Sequence, residues 1–303
     1  MIQELLFRPW PLIACLLLPG ILVYYGLHIV RREVIFVDLA LAQVAALGIC
    51  VALRLGHEAN DWATYAWSLG FTFLGAAVFT LTRTRDRRVP QEALIGIVYV
   101  VTAACAILIL SQTAEGAEEL KRTMVGDILL VEPGEVLRAF GLYALIGAVH
   151  YIFRRRFLLI SFEPERAVAE GISVRAWDFL FYVLFGFVVT SFVHIGGVLM
   201  IFSYLIVPAV CANLLVNSLG GRMLVGWLVA TVASVAGLCF SYDRDLPMGA
   251  SIVCALGMAL LLVGGLAGLR RRKKTGDHSD AVAPEAVKYP KNSGPEGIGV
   301  QHP

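Results

Sequence analysis

The sequence predicts an all-α integral membrane protein of about nine transmembrane helices, and three observations carry that prediction. Of 303 residues, 58% are hydrophobic and only 16% charged, where soluble domains carry about 25% charged residues. Mean hydropathy is +0.75. The apolar residues fall in runs of about twenty, the length that crosses ~30 Å of hydrocarbon at ~1.5 Å per residue. The net charge of +2 points to no polyanionic partner, and nucleic acid is not expected.

The first run, Trp10 to Val30, is too long for the apolar core of a signal peptide and lacks a small-residue cleavage site, so it reads as the first span. Further spans are expected at 36–55, 63–82, 93–112, 134–153, 176–195, 197–217, 223–241 and 247–268. Between the fourth and fifth, Thr113 to Glu135 holds Glu115, Glu118, Glu119, Asp127, Glu132 and Glu135 against only Lys121 and Arg122. Within it a short re-entrant or interfacial helix is expected near 118–131. Irregular backbone at membrane depth is tolerated only where protein or a water-filled cavity surrounds it. Residues 1–274 form the membrane domain, with a large connection at 157–175. Residues 275–303, with Pro284, Pro290 and Pro295, read as a disordered tail.

Positive charge sets the orientation. Arg31 and Arg32 follow span one, Arg83 to Arg88 follow span three, Arg154 to Arg156 follow span five, and Arg270 to Lys274 follow span nine. Cytoplasmic loops carry the excess of Lys and Arg, so all four clusters are satisfied with the N-terminus outside and the C-terminus inside a cell (inner) membrane. The six cysteines, Cys15, Cys50, Cys105, Cys211, Cys239 and Cys254, lie in apolar runs without a CxxC pair and read as small buried hydrophobes.

Charge is missing where a self-powered carrier needs it. No Asp, Glu, Lys or Arg occupies the middle of a span; Asp38 and Asp178 stand at span starts and His150 near a cytoplasmic end. Ion-coupled carriers keep costly mid-membrane ionisable groups for function. The chain also has no GxxxxGK[ST] phosphate loop. Energy would then come from a separate ATPase subunit, and the connection after Arg156 suits such a partner. Ser161 or Glu163 would cap a short helix with Pro164 in its first turn, running through Glu165 and Ala169 to Gly171. Such a helix can wedge into a partner's groove, or serve as an ordinary amphipathic connector.

Several segments, in order, carry a resemblance. They are Val37 to Gly48, Pro90-Gln91-Glu92 to Ile97, Val125-Gly126-Asp127-Ile128-Leu129, Ser161 to Ile172, and Gly197 to Ala212 with Pro208. Across nearly its whole length the chain resembles the membrane (permease) subunits of the zinc/manganese/iron family of ATP-binding-cassette (ABC) importers, as a divergent member. The resemblance implies a homodimer of permeases in membrane lipid, two cytoplasmic ATPases and an external substrate-binding protein. It also implies alternating access, with Ser161, Glu163, Pro164, Glu165, Ala169 and Gly171 as the ATPase coupling segment and no cofactor or catalytic site. Glu92, Gly126, Asp127 and Gly197 match structural positions of the family.

The resemblance breaks at the metal. Zinc and manganese members carry an Asp and a His one helical turn apart in span two, and those positions are Leu39 and Gln43 here. Leucine cannot ligate, and zinc prefers imidazole and thiolate to a neutral amide. Asp38, displaced by about 100° around a helix, reads as the interfacial N-cap of span two, with a weak metal ligand as the alternative. His194, at the outer end of span six, is the best remaining imidazole. The path is expected to offer weak contacts from Gln43, Ser203 and backbone carbonyls beside the Pro208 break. The cargo expected is a divalent metal ion or metal chelate. A non-metal solute remains an alternative, as does a membrane protein outside this class such as a lipid-modifying enzyme, although no clustered His, Asp or Glu set supports an enzyme.

Overall fold

In the computed structural model, residues 9–32, 36–59, 61–81, 91–113, 116–126, 128 and 131–279 are described, with side chains as far as residue 269. Their helices are α1 (Pro9–Arg31), α2 (Val37–Arg54), α3 (Trp62–Leu81), α4 (Gln91–Leu110), α5 (Gly116–Val125), α6 (Pro133–Ile152), α7 (Arg154–Phe162), α8 (Pro164–Ala169), α9 (Val174–Leu215), α10 (Leu219–Arg244) and α11 (Met248–Ser279). No strand occurs among the described residues. The arginines at 83–88, Asp127 and residues 280–303 lie outside them. The chain divides into a helical body, Met1–Gly264, and a C-terminal unit from Gly265 whose described part is the end of α11.

Eight helices are long and apolar enough to cross a membrane, and α9 does so twice. A straight helix of its 42 residues would run ~63 Å, twice the hydrocarbon thickness. Gly197 breaks it at φ 71° and ψ 173°. The rings of Phe192 and Tyr204 then stand 5.7 Å apart, which only a reversal of direction permits. The halves, 174–196 and 198–215, make nine spans in all among the described residues. Each expected span is found within a few residues of its expected place.

Burial ranks the spans. In α2, 78% of the apolar window is buried, against 17% in α4 and α11, so α2 is the central helix and the other two face outward. Its residues are small: Ala40, Ala42, Ala45, Ala46, Cys50 and Ala52 are all fully buried. Small side chains let membrane helices approach closely where no water drives them together. Ser68 Oγ of α3 donates to the Ala45 carbonyl at 3.0 Å, and the Thr72 and Thr190 hydroxyls meet at 3.0 Å between α3 and α9. On α4 and α11, Leu108 is 66% and Leu261 77% exposed, a surface suited to lipid.

Two details differ from expectation. The short helix expected at 118–131 is α5, two residues earlier in its start and ended at Val125 by Gly126, whose φ of 71° leaves the helical region. The connection after span five holds a further helix, α7, because the three arginines open an amphipathic turn that buries Phe157, Leu159, Ile160 and Ser161. The two acidic residues before span five serve its start: the Glu135 carboxylate accepts from the Glu132 amide at 3.0 Å, and both favour the positive end of α6.

Candidate functional site

The connection between spans five and six is built as two short helices and a stop. Pro164 is the first residue of α8, where its missing N–H costs nothing. At the other end the Ile172 amide donates to the Ala167 carbonyl at 3.0 Å and the Gly171 amide to Val168 at 3.0 Å. With Gly171 at φ 73°, this is the left-handed helix stop that satisfies orphan carbonyls. Ala167 is buried against Leu159, Ile160, Ile172 and Trp177. The rest of α8 points away: Glu163, Pro164, Glu165, Arg166, Ala169, Glu170 and Gly171 are exposed, and Val168 is 54% exposed. Arg166 reaches Glu163 at 3.0 Å and Glu170 at 3.2 Å; these carboxylates raise the guanidinium above its ordinary range.

Neither expected cap acts as one. No side chain caps α8; Glu163 occupies the position but its carboxylate turns to Arg166. Ser161 lies inside α7 and faces inward. Its hydroxyl meets His28 Nδ1 at 2.8 Å and accepts from Arg32 Nε at 2.9 Å. Arg32 Nη1 in turn donates to Asp178 Oδ1 at 2.8 Å, with the two side chains 4% and 1% exposed. The guanidinium carbon stands 3.9 Å over the Phe181 ring. His150 stacks on Phe157 at 4.3 Å in the same aromatic surround. Arg32, read from sequence as a cytoplasmic surface charge, is thus a buried link, and only Arg31 of that pair is exposed.

The residues expected to line the path are buried. Gln43 is 1% exposed and its Oε1 has no hydrogen-bond partner; Leu39, a turn earlier, is half-buried. Asp38 is not the N-cap of α2. Phe36 holds the N-cap position of α2, and the Asp38 carboxylate is fully buried with no side-chain partner among the described residues. Ser203 Oγ donates to its own helix at the Leu199 carbonyl, 3.0 Å away. Pro208 is buried in the second half of α9. Glu92 is half-buried in the first turn of α4.

His194 belongs to the opposite end of the bundle. It borders a cavity of ≈ 410 Å³ with Asp61, Trp62, Tyr65, Glu135 and Ser191. Trp62 stacks on Tyr65 at 5.5 Å, and Tyr65 lies 5.8 Å from the His194 ring. Asp38 and His194 are therefore at opposite ends of their spans and do not meet. Among the described residues no three His, Cys, Asp or Glu side chains gather into a metal-binding group. Gly126 and Gly197, by contrast, touch: a Cβ on Gly197 would stand 2.5 Å from the Gly126 nitrogen.

Nine spans, two of them joined by an exposed short helix, define a polytopic membrane protein. The chain belongs to the ABC 3 transport family, whose pattern matches residues 5–266. It is 28% identical over 207 residues to the manganese transport system membrane protein MntC of Listeria innocua, covering 66% of this chain and 74% of that one. It is 26% identical over 245 residues to the manganese import system permease protein ScaB of Streptococcus parasanguinis, covering 76% and 87%. Two solved structures share its fold. One is PsaBC from Streptococcus pneumoniae in complex with Fab, with TM-score 0.74, 24% identity and coverage of 87% and 95%. The other is an inward-facing putative metal-chelate type ABC transporter, with TM-score 0.66, 20% identity and coverage of 89% and 88%. The protein is the membrane-spanning permease subunit of an ABC transporter.

Proposed function

We propose that this permease imports a divalent metal ion or a small metal chelate, manganese first among the ions. It would work as a homodimer with two cytoplasmic ATPases and an external binding protein that delivers the cargo. The observation that carries the reading is α8: a helix begun by Pro164 and stopped by Gly171, whose Glu165, Val168 and Ala169 face away from the fold, close after the basic cluster Arg154 to Arg156. An exposed apolar residue on such a helix suits a groove in a partner. ATP binding would close the ATPases, move α8 and open the path by alternating access. The names of the MntC and ScaB relatives support a metal cargo.

The path itself is weakly ligating. Gln43 offers one buried amide oxygen and Leu39 offers nothing, so selection of the cargo falls to the external binding protein. A path that binds weakly still conducts, since cargo must leave as well as enter. The test is uptake of radioactive manganese into proteoliposomes holding the permease and its partner ATPase, with the binding protein outside. ATP-dependent accumulation is expected; ATP-dependent uptake of an unrelated solute with none of manganese, zinc or a metal chelate would reject the reading.

A further inference from the structure

We propose that Arg32 is the positioning residue that locks the coupling segment to spans one and six, so that all three move as one body. The inference rests on the coupling reading of α8. α8 buries only Ala167, so displacement imposed on it reaches the membrane through its two junctions, to span six across residues 170–173 and to α7 at Glu163. On α7 the inward polar contact is Ser161. From there the route is a set of directional bonds: Ser161 to His28 and Arg32 on the span-one side, then Arg32 to Asp178 in the second turn of span six.

Apolar contacts alone would not serve as well. Leu159, Ile160 and Trp177 supply non-directional packing along the same seam, and packed helices slide past one another in small shear steps. A hydrogen-bonded guanidinium, stacked 3.9 Å over Phe181, fixes register as well as distance. Nor is stability a sufficient reason for the node. A buried ion pair often stabilises no better than apolar residues of the same volume. Here His28 Nε2 has no hydrogen-bond partner among the described residues, a costly arrangement for a purely structural contact. The elements it joins are far apart in sequence, 129 residues between Arg32 and Ser161 and 146 between Arg32 and Asp178. One residue holds all of them.

The test measures rigidity directly. Spin labels are placed through unnatural amino acids at Leu16, 44% exposed on span one, and at Arg155, whose side chain is 77% exposed on α7, in the permease–ATPase complex. Their separation is compared between nucleotide-free and vanadate-trapped complexes. In the native protein it is expected to stay constant within about 2 Å, the size of an ordinary helix shift. Two variants are expected to break that constancy and to lower ATP-stimulated uptake about tenfold, within the range for residues that carry coupling. One is Ser161→Ala, which keeps the ion pair. The other is the double variant Arg32→Met with Asp178→Leu, which keeps apolar volume and removes both members of the pair together. Ser161→Thr, which keeps the hydroxyl, is expected to behave as native. A native separation that changes on trapping, or variants that stay rigid and fully active, would overturn the proposal. A native permease that binds no ATPase and forms no trapped complex would instead remove the coupling reading on which it rests.

Discussion

Gly126 and Gly197 meet backbone to backbone. A Cβ on Gly126 would stand 2.2 Å from the Gly196 carbonyl carbon, and one on Gly197 2.8 Å from the Met124 carbonyl oxygen. Both residues have φ 71°, a region that other L-residues occupy only with strain. The contact ties the end of α5 to the turn where α9 reverses, so the short helix between spans four and five is held by the junction of spans six and seven. Gly197→Ala is therefore expected to cost at least about 2 kcal/mol, from strain and overpacking together. Gly220→Ala, beside which nothing stands within 4 Å, should stay within about 0.5 kcal/mol of native. Thermal unfolding in detergent, followed by the loss of the monodisperse species, measures both.

At the other end of the bundle, Gly171 ends α8 with φ 73° and an amide bonded to Val168. Proline fixes φ near −65° and has no N–H, so Gly171→Pro removes both features. Glu165→Lys reverses one exposed charge on the same helix without touching its stop. Both variants should insert normally and lose the ATP hydrolysis that cargo-loaded binding protein stimulates, by about tenfold or more. ATPase assays on reconstituted complexes read this directly, and native stimulation in both would mean that another surface meets the ATPase.

The spans were legible because twenty apolar residues in a row admit few other structures in a membrane. The α8 stop was legible too, since Pro164 and Gly171 act through their own backbones. What sequence could not reveal is pairing over distance. Arg32 looks like a cytoplasmic anchor and Asp178 like a span-start acid, and nothing local in either stretch marks a bond between residues 146 apart. Asp38 misled for a related reason: an acid at the start of a span reads as its N-cap, yet Phe36 holds that position and the Asp38 side chain is fully buried. α7 was hidden behind Arg154 to Arg156, whose charges read as a loop although the residues after them bury one face.

The orientation expected from the basic clusters can be probed at α8. A cysteine-reactive membrane-impermeant reagent should label Glu165→Cys only from the cytoplasmic side, and Glu118→Cys, exposed on α5, only from outside. Exposed Cys254 is replaced first to keep the background low. Outside-only labelling of Glu165→Cys would reverse the topology and detach α8 from any cytoplasmic ATPase.

The last expectation concerns the cargo path. Leu39 and Gln43 stand one turn apart on the central helix, Leu39 half-buried and Gln43 buried with its amide oxygen unpartnered. Two residues one turn apart share a helix face, so the pair Leu39→Asp with Gln43→His would place a carboxylate and an imidazole where manganese and zinc could use both. In a homodimer the same pair would occur twice. The native permease should bind either ion at least a hundredfold more weakly than the double variant, a difference of about 2.7 kcal/mol or more. Titration calorimetry on the purified proteins, with manganese and then zinc, compares them. Stoichiometric micromolar binding by the native protein, lost in Gln43→Ala, would make the amide a true ligand and move selection of the metal from the binding protein into span two.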